Sequence, residues 1–221
     1  MQKLNQKYIN SVVKKALDED LRPIGDITTN LISFKNKKLK AKIIAKQNGV
    51  IAGLDFCKTA FKLIGRETVF IKKVSDGEKI RKNKVIAEIR ARIKTILIAE
   101  RTALNFLNHA SGIATLTNQF VKKTSKKTKI CCTRKTTPNL RALEKYAVRK
   151  GGGYNHRYNL SDEVLIKENH FKSETSLRKI IKKSLKTSFL NPSFSPYSNI
   201  NFELIFLIFS VSYDLIIILS K

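Results

Sequence analysis

TRKTTPNLRALEKYAVRKGGGYNHRYNLSDEVLIKENH, residues Thr133 to His170, decides how the rest of the chain is read. Two of its cations directly follow short apolar runs: Ile130-Cys131-Cys132-Thr133 precedes Arg134, and Val164-Leu165-Ile166 precedes Lys167. Runs of that length suit buried parallel strands, and in an α/β barrel the carboxyl ends of the strands face the active site. Between them, Pro138 follows Thr137 at a place that suits the first helical position. Leu140, Leu143 and Ala147 form the inner stripe of that helix, and Gly151 stands where a left-handed C-cap would close it. The order strand, helix, strand sets Arg134, Lys135, His156, Arg157 and Lys167 around the Gly151-Gly152-Gly153 turn. A concave, cationic site for a small ligand with several negative charges is expected.

Upstream, residues 1 to 108 read as one unit. The first seventeen residues form an amphipathic helix with Leu4, Tyr8, Val12 and Leu17 inward, and they lack the long apolar core of a secretory signal. Gly25-Asp26-Ile27-Thr28-Thr29 reads as a turn into an extended segment. From Lys38 to Lys46 the chain alternates, with Leu39, Ala41, Ile43 and Ala45 on one face and Lys40, Lys42 and Lys46 opposite, a half-buried strand. Asp55 to Ile64 has helical spacing, Asp76-Gly77 is a turn, and Val85 to Ile89 is a further strand. The stretch VSDGEKIRKNKVIAEIRA resembles the rim of a lipoyl-type domain but lacks a flanking signature for a modified lysine. Lys94 to Lys123 is helical in period, with Ser111-Gly112 expected to interrupt it where two elements pack closely.

The charge needs weighing. A net +27 over 221 residues would suit a polyanionic partner. However, 33 of the 44 cations are lysines spread along the chain, and no aromatic residues interleave with them to stack bases. A specific nucleic-acid partner is therefore not expected, although weak adhesion at low salt is. With 42% apolar residues the chain has material for a real core. Cys57, Cys131 and Cys132 have neither disulfide nor metal-ligand spacing and read as small buried hydrophobes in a reducing cytoplasm. Phe202 to Leu219 is very apolar, but Glu203 and Asp214 argue against a membrane anchor there. A buried strand or a frayed end is the expectation.

TRKTTP, LEKYAVRKGGGYNHR and LIKENH resemble the signature of the quinolinate phosphoribosyltransferases. The likeness extends upstream through Asp20-Leu21, Gly25 to Thr29, Gly49-Val50-Ile51-Ala52-Gly53 and AERTALNFLNHASGIATLT (Ala99 to Thr117), and covers roughly residues 10 to 172. It implies an α/β fold: a small open-sheet domain (1–108), an incomplete α/β barrel carrying the site (109–188) and a divergent hydrophobic tail (189–221). It implies quinolinate and phosphoribosyl pyrophosphate as substrates, Mg²⁺ with the donor, and a homodimer with shared sites. Arg134, His156 and Arg157 would hold the acid. Lys135 and Lys167, the catalytic candidates, would be shared between acid and donor. Arg101, in ERTALN, would enter the neighbouring subunit's site. Taken singly, Arg134 or Lys167 would be a solvated charge and His156 a structural hydrogen-bonder; their joint spacing reverses that. His109 and His170 read as structural, the latter beside Lys167.

The resemblance fades after Phe171. The family's acidic strands and terminal glycine-rich phosphate loop find no counterpart, no protein ligand for Mg²⁺ is assigned, and no glycine follows Gly153. A shifted reading frame, a decayed end or a split gene would each give this pattern. The expectation is a chain that binds the acid but turns it over little. A noncatalytic remnant that only dimerises or binds acidic ligands, and a related pyridine phosphoribosyltransferase, are the alternatives.

Overall fold

A computed structural model describes residues 4–34, 38–125, 128–167, 170, 178–180, 182–183 and 215–219, the last as backbone only. Helix α1 (Gln6–Leu21) is capped by Asn5, whose side chain accepts the Lys7 N–H at 2.8 Å, satisfying one of the orphan donors of the first turn. Its fully buried stripe is Ile9, Val13 and Leu17, with Leu4, Tyr8 and Val12 packed at the margin. The segment after it is helical, not extended. Asp26 accepts the Thr29 N–H and caps a single turn, α2 (Ile27–Leu31).

Strands β1 (Lys38–Ile44), β3 (Val69–Lys72) and β5 (Val85–Arg92) form an antiparallel sheet in the order β1-β5-β3. The alternation of β1 is realised as expected, with even-numbered residues exposed and odd-numbered ones half-buried. A two-residue ladder joins β2 (Gly49–Val50) to β4 (Lys79–Ile80). Helix α3 (Leu54–Ile64) starts from Gly53, whose φ of +96° suits glycine, and a Cβ there would meet the Phe106 carbonyl at 3.3 Å. The Gly53 and Leu54 N–H groups donate to the Asp76 carboxylate, a negative charge at a helix N-terminus. Tyr146 also donates to Asp76, at 2.7 Å, tying the later helix α5 to this unit.

Helix α4 (Ile93–Lys123) runs unbroken for 31 residues through the expected interruption and across 108/109. Ser111 does mark a close approach: its hydroxyl bonds both the N–H and the carbonyl of Ala52, while Thr115 accepts the Val50 N–H at 2.8 Å. One glycine costs a helix about 1 kcal/mol. The buried face of Ala103, Leu107, Ala110 and Ala114 outweighs it.

Strand β6 (Thr128–Cys132) leads through a loop to α5 (Arg141–Lys150). The helix begins three residues after Pro138 because Asn139 has φ +65°, which no right-handed helix accommodates. At the other end the left-handed residue is Gly152 (φ +93°), not Gly151. Gly151 is needed for space instead. A Cβ on it would lie 2.4 Å from the Ala114 carbonyl oxygen, so α5 closes directly onto α4. The chain then returns to β6, with a parallel bridge between Tyr154 and Cys131 and hydrogen bonds on both sides of it. This strand-helix-strand return is the one α/β barrels repeat.

Residues 164–166 form no strand, contrary to expectation. Both edges of β6 are already taken, one by Tyr154 and the other by β7 (Leu215–Leu219), which pairs antiparallel. The expectations for 189–214 lie outside the described residues. No helix among the described residues is long and apolar enough to cross a membrane. All three cysteines are buried as thiols outside any disulfide, and burial pushes the Cys57 thiol up to about 12.

Candidate functional site

The TRKTTP loop is ordered by its own threonines. Thr133 Oγ1 accepts the Lys135 N–H at 3.0 Å, and the Thr136 N–H returns to the Arg134 carbonyl at 3.0 Å. Arg141 clamps the loop from α5, donating from Nε to Thr136 Oγ1 and from a terminal nitrogen to the Tyr158 carbonyl. Short hydroxyl side chains favour such local turns over regular structure.

This loop, α4 and α5 enclose a cavity of about 480 Å³. Ile113, Leu116 and Val148 supply apolar wall, while Arg134, Lys135, Lys145 and Thr117 supply the polar part. Two buried polar atoms here have no hydrogen-bond partner, Arg134 Nε and Thr117 Oγ1. Unpaired buried polar atoms are rare in folded proteins and call for an explanation.

His156 and Arg157 follow the Tyr154 bridge. Arg157 is only 8% exposed, and a terminal nitrogen donates to the Glu163 carbonyl at 2.9 Å. Burial first, and then the positive charge of Arg134, hold its guanidinium below the ordinary value against the opposing pull of Glu163. His156 Nδ1 accepts the Arg157 N–H at 2.7 Å. That leaves Nε2 as the donor of a neutral ring. Burial, with help from Arg157 and Lys145, holds the imidazole below its ordinary value against the opposing pull of Glu163. Asp162 accepts the N–H groups of Tyr158 and Asn159 and shapes the loop beyond.

Of the six sequence-predicted site residues, Arg134 and Lys135 line the cavity. His156 and Arg157 are outside the cavity wall, but Lys145, which lines it, donates to the His156 carbonyl at 2.8 Å. Lys167 and Arg101 are both exposed and outside the cavity wall. The Lys167 N–H donates to His170 Nδ1 at 2.9 Å, so His170 shapes the local backbone.

Sequence reasoning passed over Lys145, which is 3% exposed, and the His109–Glu144 pair at 3.0 Å on the same cavity. Burial raises the Glu144 carboxyl, but hydrogen bonds from His109 and Thr137 outweigh it and leave it below its ordinary value. The arrangement as a whole gathers arginine and lysine around a small space with little acid to balance them, which suits carboxylate or phosphate. Among the described residues, no group of three His, Cys, Asp or Glu side chains is placed to hold a metal ion.

The N-terminal domain of quinolinate phosphoribosyl transferase matches residues 26–111, and the C-terminal domain of the same family matches residues 113–190. A probable carboxylating nicotinate-nucleotide pyrophosphorylase of Bacillus subtilis is 43% identical over 182 residues, covering 82% of this chain and 62% of that protein. A probable enzyme of the same name from Methanocaldococcus jannaschii is 46% identical over 167 residues, covering 74% of this chain and 57% of its own. The chain thus spans less than two thirds of the length of these curated relatives. The crystal structure of NadC from Streptococcus pyogenes superposes with a TM-score of 0.81 at 39% identity, covering 85% of this chain and 67% of that one.

Proposed function

The chain belongs to the quinolinate phosphoribosyltransferase family, and from that premise we propose that it serves the transfer of phosphoribosyl from phosphoribosyl pyrophosphate to quinolinate, giving nicotinate mononucleotide for NAD biosynthesis. The pyridine nitrogen bonds to C1 of the ribose as the C1–oxygen bond to pyrophosphate breaks. The quaternised ring then takes up the electron pair left when the 2-carboxylate departs as CO₂, and C2 is protonated.

The observation that carries this reading is the buried Arg134 Nε, which has no hydrogen-bond partner and stands on a cavity wall shared with Lys135 and Lys145. A ligand with adjacent carboxylates would give that donor an acceptor and balance the surrounding cations, and quinolinate has them. His156 adds a neutral N–H donor. Lys135 and Lys167 are the cations assigned to the shared boundary between the acid and the donor, where negative charge grows on the leaving group. Mg²⁺ would arrive with the donor's pyrophosphate, and no residue described here is assigned to it.

The same reading makes the protein a homodimer, with Arg101 reaching into the partner's site from its exposed position on α4. It also places the protein in the cytoplasm, where three buried thiols would persist. Mixing Arg101→Ala chains with Arg134→Ala chains tests the shared site, since hybrid dimers regain one complete quinolinate site. No recovery would assign Arg101 to its own subunit.

The function itself is tested with carboxyl-labelled quinolinate, phosphoribosyl pyrophosphate and Mg²⁺. Release of labelled CO₂ that depends on the donor is the signature of the reaction, and quinolinate binding with little release is the result expected of this chain. Quinolinate binding without release would confine this chain to the acid-binding share of it. No binding at all would contradict the reading.

A further inference from the structure

Lys145 is a lysine in a place built for an apolar side chain, 3% exposed on a helix packed between α4 and β6. Its Nζ donates to the His156 carbonyl at 2.8 Å and to Cys132 Sγ at 3.0 Å. No carboxylate among the described residues forms an ion pair with it. Glu144, next in sequence and on the same cavity, is engaged by His109 and the Thr137 N–H instead. Arg134 shares the cavity wall and adds to the positive charge. A buried ammonium without a counter-charge weakens a fold unless something outside the chain balances it.

We infer that Lys145 is a positioning residue for the anionic substrate: its ammonium holds the His156 carbonyl, and with it the His156–Arg157 pair, and carries a positive charge that a carboxylate in the cavity balances. This rests on the proposed function only for the identity of the anion. The geometry has two consequences that a purely structural tether would not share. Ligand binding depends on Lys145, and the empty protein does not gain stability from its charge.

Lys145→Met keeps the length of the side chain and removes charge and donor. The expected result is an empty protein that melts at the same temperature or about 2–4 °C higher, with quinolinate affinity at least about tenfold weaker. Lys145→Gln, which keeps a donor for the His156 carbonyl, covers the case in which the Met variant fails to fold. It is expected to lose affinity by a comparable factor. If whichever variant folds binds quinolinate as the unsubstituted protein does, the inference is overturned. A lower melting temperature with unchanged affinity would make Lys145 a tether and nothing more.

Phthalate, which has the adjacent carboxylates without the ring nitrogen, separates the two readings. If it raises the melting temperature of the unsubstituted protein where quinolinate does not, and loses that effect in the variant, Lys145 acts as inferred and quinolinate is the wrong acid. If neither acid raises it, the inference falls with the function.

Discussion

Two regions of this molecule are rich in cations and use them in opposite ways. On the sheet of β1 and β5, Lys38, Lys40, Lys42, Arg90 and Arg92 all lie on the solvent face, with Lys38 directly opposite Arg92 and Lys40 opposite Arg90. The ion pairs nearby, such as Arg92 with Glu67 at 3.2 Å and Lys73 with Glu88 at 3.2 Å, are partly exposed and contribute little. Around β6 and α5 the cations are drawn inward. Arg157 and Lys145 are buried and Arg134 Nε is enclosed; among the described residues, the first two donate to carbonyls and a thiol instead of acids. Residue type is the same in both places; burial decides whether a charge is solvated or enclosed.

That contrast is easiest to break at Arg134. Truncating one member of a buried charge cluster that holds a carboxylate costs about 2–5 kcal/mol, so Arg134→Ala is expected to weaken quinolinate binding by some tens-fold or more in a calorimetric titration. The counterpart on the sheet, Lys40→Ala, should leave affinity unchanged and stability within about 0.5 kcal/mol. Equal losses from the two substitutions would erase the distinction between the regions.

Two glycines sharpen it next. Gly151→Ala drives a Cβ to within 2.4 Å of the Ala114 carbonyl, whereas no heavy atom lies within 4 Å of a Cβ on Gly112. Urea unfolding should show the first variant destabilised by about 1–3 kcal/mol, as overpacking is. The second should be stabilised by up to about 1 kcal/mol, because alanine suits a helix interior. A stable Gly151→Ala protein would mean that α5 does not close on α4 as described.

The legible parts of the chain were those in which a local rule and the tertiary result coincide. The alternation of β1, the spacing of α3 and the end of β6 all read correctly from side-chain type. Elsewhere a long-range contact overrode the local signal. Ser111-Gly112 looks like a break, but Ala52 fills the notch and the helix continues. Pro138 invites a helix that the left-handed Asn139 delays. Val164-Leu165-Ile166 has the composition of a strand and no free edge of β6 to join. Lys145 was hidden for a related reason. A lysine in a helix reads as solvated, and only the placement of α5 between α4 and β6 shows that it is not. The adjacent Tyr146-Ala147-Val148 run, which makes the helix apolar on more than one side, was the available signal.

The smallest expected effect concerns pH. His156 is held below its ordinary value of 6.5, so the unfolded chain takes up that proton first and stability falls as pH drops below about 6.5. Glu144, held below 4.5, keeps its contribution until the pH falls further. Unfolding measured between pH 7 and 5.5 should therefore show a modest loss that His156→Asn reduces. An identical loss in that variant would place the titrating group elsewhere.

The central claim is that the cations around β6 and α5 form a site for two adjacent carboxylates. Calorimetric titration of the unsubstituted chain with quinolinate and with nicotinate, at the same ionic strength, tests it most directly. One good charge-assisted contact is worth about 1.5–3 kcal/mol, so quinolinate should bind at least about tenfold more tightly than the monocarboxylate. Equal affinities, or a preference for nicotinate, would contradict the account.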